Sequence, residues 1–361
     1  MIKIVNDRGL RVDSLDTEKK RSIRIYDKGN NKEIQPKTEL NRPIEINRSY
    51  YMDLLFLVDG EEGTDLFKSP DKTSVLIGIH SKALGDQVAW VPICDLFQKK
   101  HNCKLIVACK FPELFQPFYS NIEFVRQYFK GENIPNPDEK KIALDRYILG
   151  YAVRGYKNED GIYVSPVDCR TVGLQDVACH ELGIEPQDLQ PEFYSNIQNP
   201  IIKGKYIVLT TCAAGDFKFW HYKNGWKEIV KYFKKQGLKV VHIGKTPYKL
   251  KDTMRMTGNL EWNKLMNIIQ HAQLFIGLSS GLSWLAWALG QKVVTINGIS
   301  EDWAQFTHTK ITNKKVCNGC WNDTSFVYEN NNPNYCPRKK DFECTRMISP
   351  EMVITGIENT L

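Results

Sequence analysis

Four cysteines near the C-terminus are the strongest chemical signal in this sequence. Cys317-Asn318-Gly319-Cys320 puts two thiols on one tight turn, and Cys336 and Cys344 follow after fifteen and seven intervening residues. Four thiolates favour a tetrahedral site for zinc or iron, and the spacing leaves no open coordination position, so the expected role is structural. The intervening Trp321-Asn322-Asp323 and Glu329-Asn330-Asn331-Asn332-Pro333 are poor core material, and a metal would be what folds them. Unpaired thiols or disulfides are the competing account.

Three further places can carry chemistry together. Asp86 sits on a glycine-containing turn at a helix start, where a carboxylate can take the proton of an acceptor hydroxyl as that hydroxyl attacks carbon. Capping its own helix is the ordinary alternative for such an aspartate. The turn Ser279-Ser280-Gly281 leads into an apolar helix whose first amides and dipole favour an anion by about 0.3–1 kcal/mol, although strand, small turn and helix occur in any α/β unit. Lys218 is the best placed cation, unless it is one solvated lysine among many, and Thr210 and Thr211 offer hydroxyls from a strand end. Such groups can hold an anion such as phosphate and stabilise its charge. Trp220 is read chiefly as packing beside Lys218, with ligand contact as the alternative. No two aspartates are separated by a single residue, so an Asp-x-Asp metal seat is lacking and no catalytic divalent metal is expected. Trp284 and Trp287 read as core, and His80, the one histidine beside the Asp86 turn, as structural.

Those residues need elements to position them. Val75 to Ile79, Lys104 to Ala108 and Ile122 to Val125 read as strands, with a helical stretch from Val88 to Lys99 and another from Leu174 to Leu182. The pattern repeats in the strands Tyr206 to Leu209, Lys239 to Ile243, Leu274 to Leu278 and Val293 to Ile296. Between them, Trp226, Ile229, Val230 and Phe233, and then Trp262, Leu265, Met266 and Ile269, fall at helical spacing. The alternation predicts two doubly wound domains facing each other, with ligands at the carboxyl ends of their strands. Residues 1–70 differ: alternating stretches such as Ser22 to Asp27 and Pro43 to Ile46, with Gly29-Asn30-Asn31 as a turn, predict a small β-domain ending in the linker Ser69-Pro70-Asp71. The expected division is 1–70 β-rich, 71–198 and 199–313 Rossmann-like, 314–346 the cysteine finger and 347–361 a helical tail, with Asn196 to Pro200 as an interdomain link.

Composition narrows the class. The 361 residues are 42% hydrophobic and 25% charged, with ample material for a core. The first residues lack the apolar region of a secretory signal and no apolar run approaches the ~20 residues of a membrane helix, which predicts a cytoplasmic chain without membrane insertion. A net charge of +7 is small for the length and does not form a basic tail, so nucleotide phosphates account for it as well as nucleic acid does. Six other cysteines, Cys94, Cys103, Cys109, Cys169, Cys179 and Cys212, lie in apolar segments and read as buried thiols.

As an ordered set the motifs resemble a known family. Ile79 to Pro92, with Gly85-Asp86 and the following proline, resembles the Gly-Asp turn of the ADP-heptose glycosyltransferases; Lys218-Phe219-Trp220 is similar to their Lys-x-Trp, and Gly277 to Gly290 to their diphosphate turn and helix. The cysteine-rich tail narrows the resemblance to the bacterial autotransporter heptosyltransferases. It implies an α/β fold of GT-B type and inverting transfer of heptose from ADP-heptose to serine hydroxyls of an autotransporter adhesin. Asp86 would be the base, and Thr210, Thr211, Lys218, Trp220, Ser279, Ser280 and Gly281 would lie at the donor. It further implies iron on Cys317, Cys320, Cys336 and Cys344, and a large homo-oligomer, a dodecamer. Where lipopolysaccharide enzymes of this group have Asp-Thr-Gly and a following histidine, this chain has Ser279-Ser280-Gly281 and Trp284, which leaves the sugar contacts unassigned. Rival readings are a lipopolysaccharide-core heptosyltransferase, a sugar-nucleotide epimerase and, from another class, a zinc-ribbon nucleic-acid binder, against which the lack of a basic cluster counts.

Overall fold

The computed structural model describes residues 2–6, 10–14, 21–28, 32–39, 44–46, 50–62, 74–127, 145–151, 165–245, 249–326 and 334–361. The chain forms two compact units, residues 1–82 with 90–187, and residues 83–89 with 188–361. The expected turn at 29–31, the linker at 69–71 and the asparagine run at 329–333 lie outside the described residues. No described helix is long and apolar enough to cross a membrane.

Among the described residues the first unit opens with the strands β1 (Ile2–Asn6), β2 (Leu10–Ser14), β3 (Ser22–Asp27), β4 (Lys32–Glu39), β5 (Ile44–Ile46), β6 (Leu54–Val58) and β7 (Glu61–Glu62). They pair antiparallel in the orders β1-β2-β5 and β4-β3-β6-β7. Alternation along β3 and β6 sends Ile23, Ile25, Leu54, Phe56 and Val58 into a core shared with Val12, Ile44 and Met52. Tyr51 ties these strands to the rest of the unit: its amide donates to the Glu181 carbonyl at 2.7 Å, and its ring packs against Phe97 and Tyr147.

Then come β8 (Ser74–Ile79), α1 (Leu84–His101), β9 (Lys104–Cys109), α2 (Pro112–Phe115), β10 (Ile122–Arg126), β11 (Asp145–Leu149) and α3 (Leu174–Leu182). The sheet order is β10-β9-β8-β11, all parallel. Near-continuous apolar strands such as Val75 to Ile79 are what a sheet covered on both faces requires. Helix α1 begins at Leu84, four residues before the apolar stretch at Val88, so Gly85 and Asp86 form its first turn.

The second unit continues with β12 (Tyr206–Thr210), α4 (Gly225–Lys235), β13 (Lys239–Gly244), β14 (Met254–Thr257), α5 (Trp262–Gln270), β15 (Phe275–Leu278), α6 (Gly281–Ala288), β16 (Val293–Ile296), β17 (Thr309–Ile311), α7 (Glu343–Arg346) and α8 (Pro350–Glu358). Among the described residues the parallel strands run in the order β14-β13-β12-β15-β16-β17, the doubly wound arrangement in which the chain starts mid-sheet and reverses direction once. The core joins Ile207, Leu209, Ile229, Phe233, Ile276 and Val294 to Val353 and Ile357 of α8, so the C-terminal helix completes this unit. The stretch at 196–200, expected as a link, is fastened to α5 by the fully buried Asn267. Its amide donates to the carbonyls of Ile197 at 2.9 Å and Asn199 at 3.1 Å and accepts from the Ile201 amide at 2.9 Å, while the units divide between Gln187 and Asp188.

Candidate functional site

The strand order of the second unit reverses between β12 and β15, the place where a doubly wound sheet opens a crevice beyond its carboxyl ends. Strand β12 ends in Thr210, followed by Thr211 and Cys212, and β15 runs directly into Ser279 and Ser280. A Cβ on Gly277 would lie 2.9 Å from Thr210 Cγ2 and 3.0 Å from Ser283 Oγ, so only glycine lets the two strand ends come this close. Thr210 is fully buried, with Oγ1 3.4 Å from Cys212 Sγ. Thr211 Oγ1 is 3.0 Å from His242 Nε2, and burial, helped by the Arg255 charge on the next strand, pushes His242 down to about 4 and keeps it neutral.

The turn before α6 has the features of an anion seat. Ser280 is extended, at φ −145° and ψ 165°, and its carbonyl takes the amides of Ser283 at 3.1 Å and Trp284 at 3.3 Å. The amides of Gly281 and Leu282 find no acceptor among the described residues, and Ser280 Oγ is buried without a hydrogen-bond partner. Unpaired amides and hydroxyls on a helix start suit phosphate oxygens. Ser279 Oγ accepts from Gln305 Nε2 at 2.6 Å.

Residues 83–89, the start of α1, belong to this same unit. The reason is a backbone contact: a Cβ on Gly281 would fall 2.7 Å from the Gly85 nitrogen and from Leu84 Cβ, and one on Gly85 would fall 3.0 Å from Trp284 Cδ1. Two glycines thus bring two helix starts together and hold the adjacent Asp86, itself buried, at the turn. Lys218 closes a short 3-10 turn, Asp216–Lys218, in the loop after β12. Burial lowers the basicity of its ammonium and the negative charge of Asp86 works the other way, which places cation and carboxylate in one electrostatic environment. Trp220 is core: its indole N–H donates to the Ile348 carbonyl at 2.9 Å and its ring packs edge-on against Trp226 at 5.1 Å. Trp284 and Trp287 are core as well, with Phe306 4.7 and 4.9 Å from their rings. His80 lies in the first unit, its amide bonded to the Leu149 carbonyl at 2.8 Å.

The four cysteines are all free thiols. Among the described residues no three His, Cys, Asp or Glu side chains stand in ligating geometry. The thiols nevertheless act on one another: burial first, then the charges of Cys317, Cys320 and Cys336, push Cys344 up to about 12. Gly319, at φ +69°, makes the turn between the first two, and the Lys340 amide donates to Cys336 Sγ at 3.3 Å. Four thiols that raise the cost of charge on one another are a donor set whose repulsion a cation would relieve, although among the described residues they do not stand as a formed site. Of the other cysteines five are buried, and Cys212 is half-buried beside Thr210.

The cysteine segment also braces the loops of the site. The Gly319 amide bonds to the Gly298 carbonyl at 3.0 Å and the Trp321 amide to the Ile299 carbonyl at 2.8 Å, in the loop that leads to Gln305. On the Lys218 side, the His221 ring stacks on Phe342 at 4.3 Å and the Asp216 amide reaches Asn334 Oδ1 at 3.3 Å. Sequence reasoning misses Gln305 and His242, which carry no motif and act through contacts. It also takes the positive charge as dispersed. In fact residues 223–251 hold nine lysines against Glu228, more than the whole chain's +7, and Lys227, Lys231, Lys234, Lys249 and Lys251 line a cavity of about 640 Å³ that includes no candidate site residue.

Comparison with known proteins decides the family. The sequence is 33% identical over 299 residues to the autotransporter heptosyltransferase BAHTCr of Citrobacter rodentium, covering 77% of this chain and 69% of that protein. The chain belongs to the autotransporter heptosyltransferases. A second member of this family, TibC of Escherichia coli O78:H11, is 32% identical over 307 residues, with 80% of this chain and 71% of TibC covered. The model of glycosyltransferase family 9 (heptosyltransferase) matches residues 174–336, which include Thr210, Thr211, Lys218, the Ser279 turn and three of the four cysteines. The crystal structure of TibC, an iron-containing dodecameric glycosyltransferase, superposes with a TM-score of 0.84 at 27% identity, covering 99% of this chain and 95% of that one. A TibC crystal structure in complex with ADP-D-beta-D-heptose gives 0.82 over the same shares. The two parallel sheets are therefore those of the α/β glycosyltransferase fold of this family.

Proposed function

We propose that this heptosyltransferase moves heptose from ADP-heptose to serine hydroxyls of an autotransporter adhesin, inverting the anomeric centre. The observation that carries the reading is that Asp86, Lys218 and the Ser279-Ser280-Gly281 turn belong to one unit, with Gly281 against Gly85 and the Asp86 charge acting on Lys218. Asp86 takes the serine proton as the hydroxyl oxygen attacks the anomeric carbon; the bond from that carbon to the β-phosphate oxygen breaks, and ADP leaves with the electron pair. Lys218, the Gly281 and Leu282 amides and the hydroxyls of Thr210, Thr211, Ser279 and Ser280 receive the growing charge. Trp220 serves by packing that fixes the Lys218 turn.

Iron on Cys317, Cys320, Cys336 and Cys344 supplies a structural cross-link and takes no part in the transfer. The support is the donor set itself together with the iron-containing relative. By the same relative the enzyme assembles as a large homo-oligomer, and the β-rich residues 1–70 and the cysteine segment are the parts left to read the acceptor or join subunits. It works in the cytoplasm, where the remaining thiols stay reduced. Incubation with ADP-heptose and a strand-loop-strand adhesin, followed by mass spectrometry of the adhesin, tests the function. A heptose-sized mass gain on serine supports it, and conversion of the donor to its epimer without transfer would favour the epimerase reading instead.

A further inference from the structure

We infer that Gln305 is a positioning residue that fixes the hydroxyl of Ser279 as a hydrogen-bond donor to the diphosphate; the inference rests on the reading of this turn as the donor seat. A backbone carbonyl, which can only accept, sets the direction of the whole chain of hydrogen bonds. Asn297 Nδ2 donates to the Ser300 carbonyl at 2.7 Å, and this settles which end of the Asn297 amide is oxygen. Asn297 Oδ1 then accepts the Ser300 hydroxyl at 3.2 Å. Having given away its hydrogen, Ser300 Oγ accepts from Gln305, which lies at 2.8 Å, so the Gln305 end facing Ser300 is the NH₂ and its Oε1 is left buried without a partner. The same nitrogen lies 2.6 Å from Ser279 Oγ, which accepts its second hydrogen. Ser279, 8% exposed, is left with one hydrogen of its own and no internal acceptor among the described residues. Were the amide reversed, Ser279 would donate inward to a carbonyl oxygen and turn lone pairs toward the phosphate.

The loop bearing Gln305 is held so that this direction persists. Phe306 stacks on Trp287 at 4.9 Å and meets Trp284 edge-on at 4.7 Å, both on α6, the helix that Ser279 and Ser280 lead into. His308 Nδ1 donates to the Phe306 carbonyl at 2.7 Å, which makes Nε2 the acceptor of the Thr295 hydroxyl at 2.6 Å. A donor pre-set before the ligand arrives costs no reorganisation when negative charge grows on the leaving group.

The test is a double-mutant cycle on the full-length protein, with ADP binding read by titration calorimetry and the donor KM and kcat read separately. Ser279→Ala removes the donor and is expected to weaken ADP binding about tenfold. Gln305→Leu is expected to weaken it severalfold in the wild-type background and not at all in the Ser279→Ala background, because its effect passes through that hydroxyl. Gln305→Glu, nearly isosteric, reverses the direction of the Ser279 hydrogen bond and is expected to raise the donor KM more than Gln305→Leu does. Equal losses from Gln305→Leu in both backgrounds would mark a merely structural glutamine and overturn the inference while the donor site stands. Failure of the wild-type protein to bind ADP would overturn both.

Discussion

Lys218 and Asp86 are 132 residues apart in the chain, yet the carboxylate's charge supports the protonated state of an ammonium that burial would otherwise weaken. The base of the proposed reaction and the cation that receives its leaving group are therefore coupled. Asp86→Asn is expected to lower kcat by about 10²–10⁴ while ADP still binds. It should also leave Lys218 less basic. Since the anion needs the protonated lysine, ADP binding, measured as a function of pH, should weaken at lower pH in the variant than in the wild type.

Close glycine contact makes a steric prediction. Gly281→Ala puts a methyl 2.7 Å from the Gly85 nitrogen, where backbone must move, whereas Gly85→Ala meets chiefly an indole edge at 3.0 Å. The first should impair ADP binding more than the second, with both variants folded by circular dichroism. Equal binding by the two variants would mean that the helix starts need not touch.

His242 makes stability depend on pH. Its imidazole is held near 4 in the folded chain against about 6.5 when unfolded, so the unfolded state binds the extra proton between those values. Stability is intact above pH 6.5 and falls as the pH drops toward 4, by on the order of 3 kcal/mol from this group at most. Urea unfolding at pH 7.5, 5.5 and 4.5 should show that slope, and His242→Gln should flatten it.

Removing the proposed metal should reach the donor site. Cysteine-segment contacts to Gly298, Ile299, His221 and Asp216 brace both the Gln305 loop and the Lys218 turn. Elemental analysis of the purified enzyme should find iron at about one ion per chain. Cys344→Ser should lose it, melt at lower temperature and bind ADP less tightly. Undiminished ADP binding in metal-free protein would limit the metal to stability.

Much of this arrangement is legible in the sequence because its signals are local. Val75 to Ile79, Tyr206 to Leu209 and Phe275 to Leu278 are continuous apolar runs, and Asp86 and Ser279 to Gly281 lie on turns marked by glycine and serine. The edge strands β14 and β17 escape such reading. Met254-Arg255-Met256-Thr257 is half polar and partly exposed, as an edge permits, and Thr309 to Ile311 is only three residues long. The start of α1 is hidden by Gly85, a poor helix former kept for its contact with Gly281. That same contact groups Asp86 with the second unit, while its sequence neighbours suggest the first. Gln305 and His242 reach the site through side chains 26 and 31 residues away, a relationship that no local pattern records.

Mass spectrometry of a strand-loop-strand adhesin after incubation with the wild-type protein and ADP-heptose, beside the Asp86→Asn variant, tests the proposed transfer and its base together. A heptose added to serine by the wild type, and almost none by the folded, ADP-binding variant, is the predicted result. An unmodified adhesin in the presence of folded wild-type enzyme that binds ADP would contradict it.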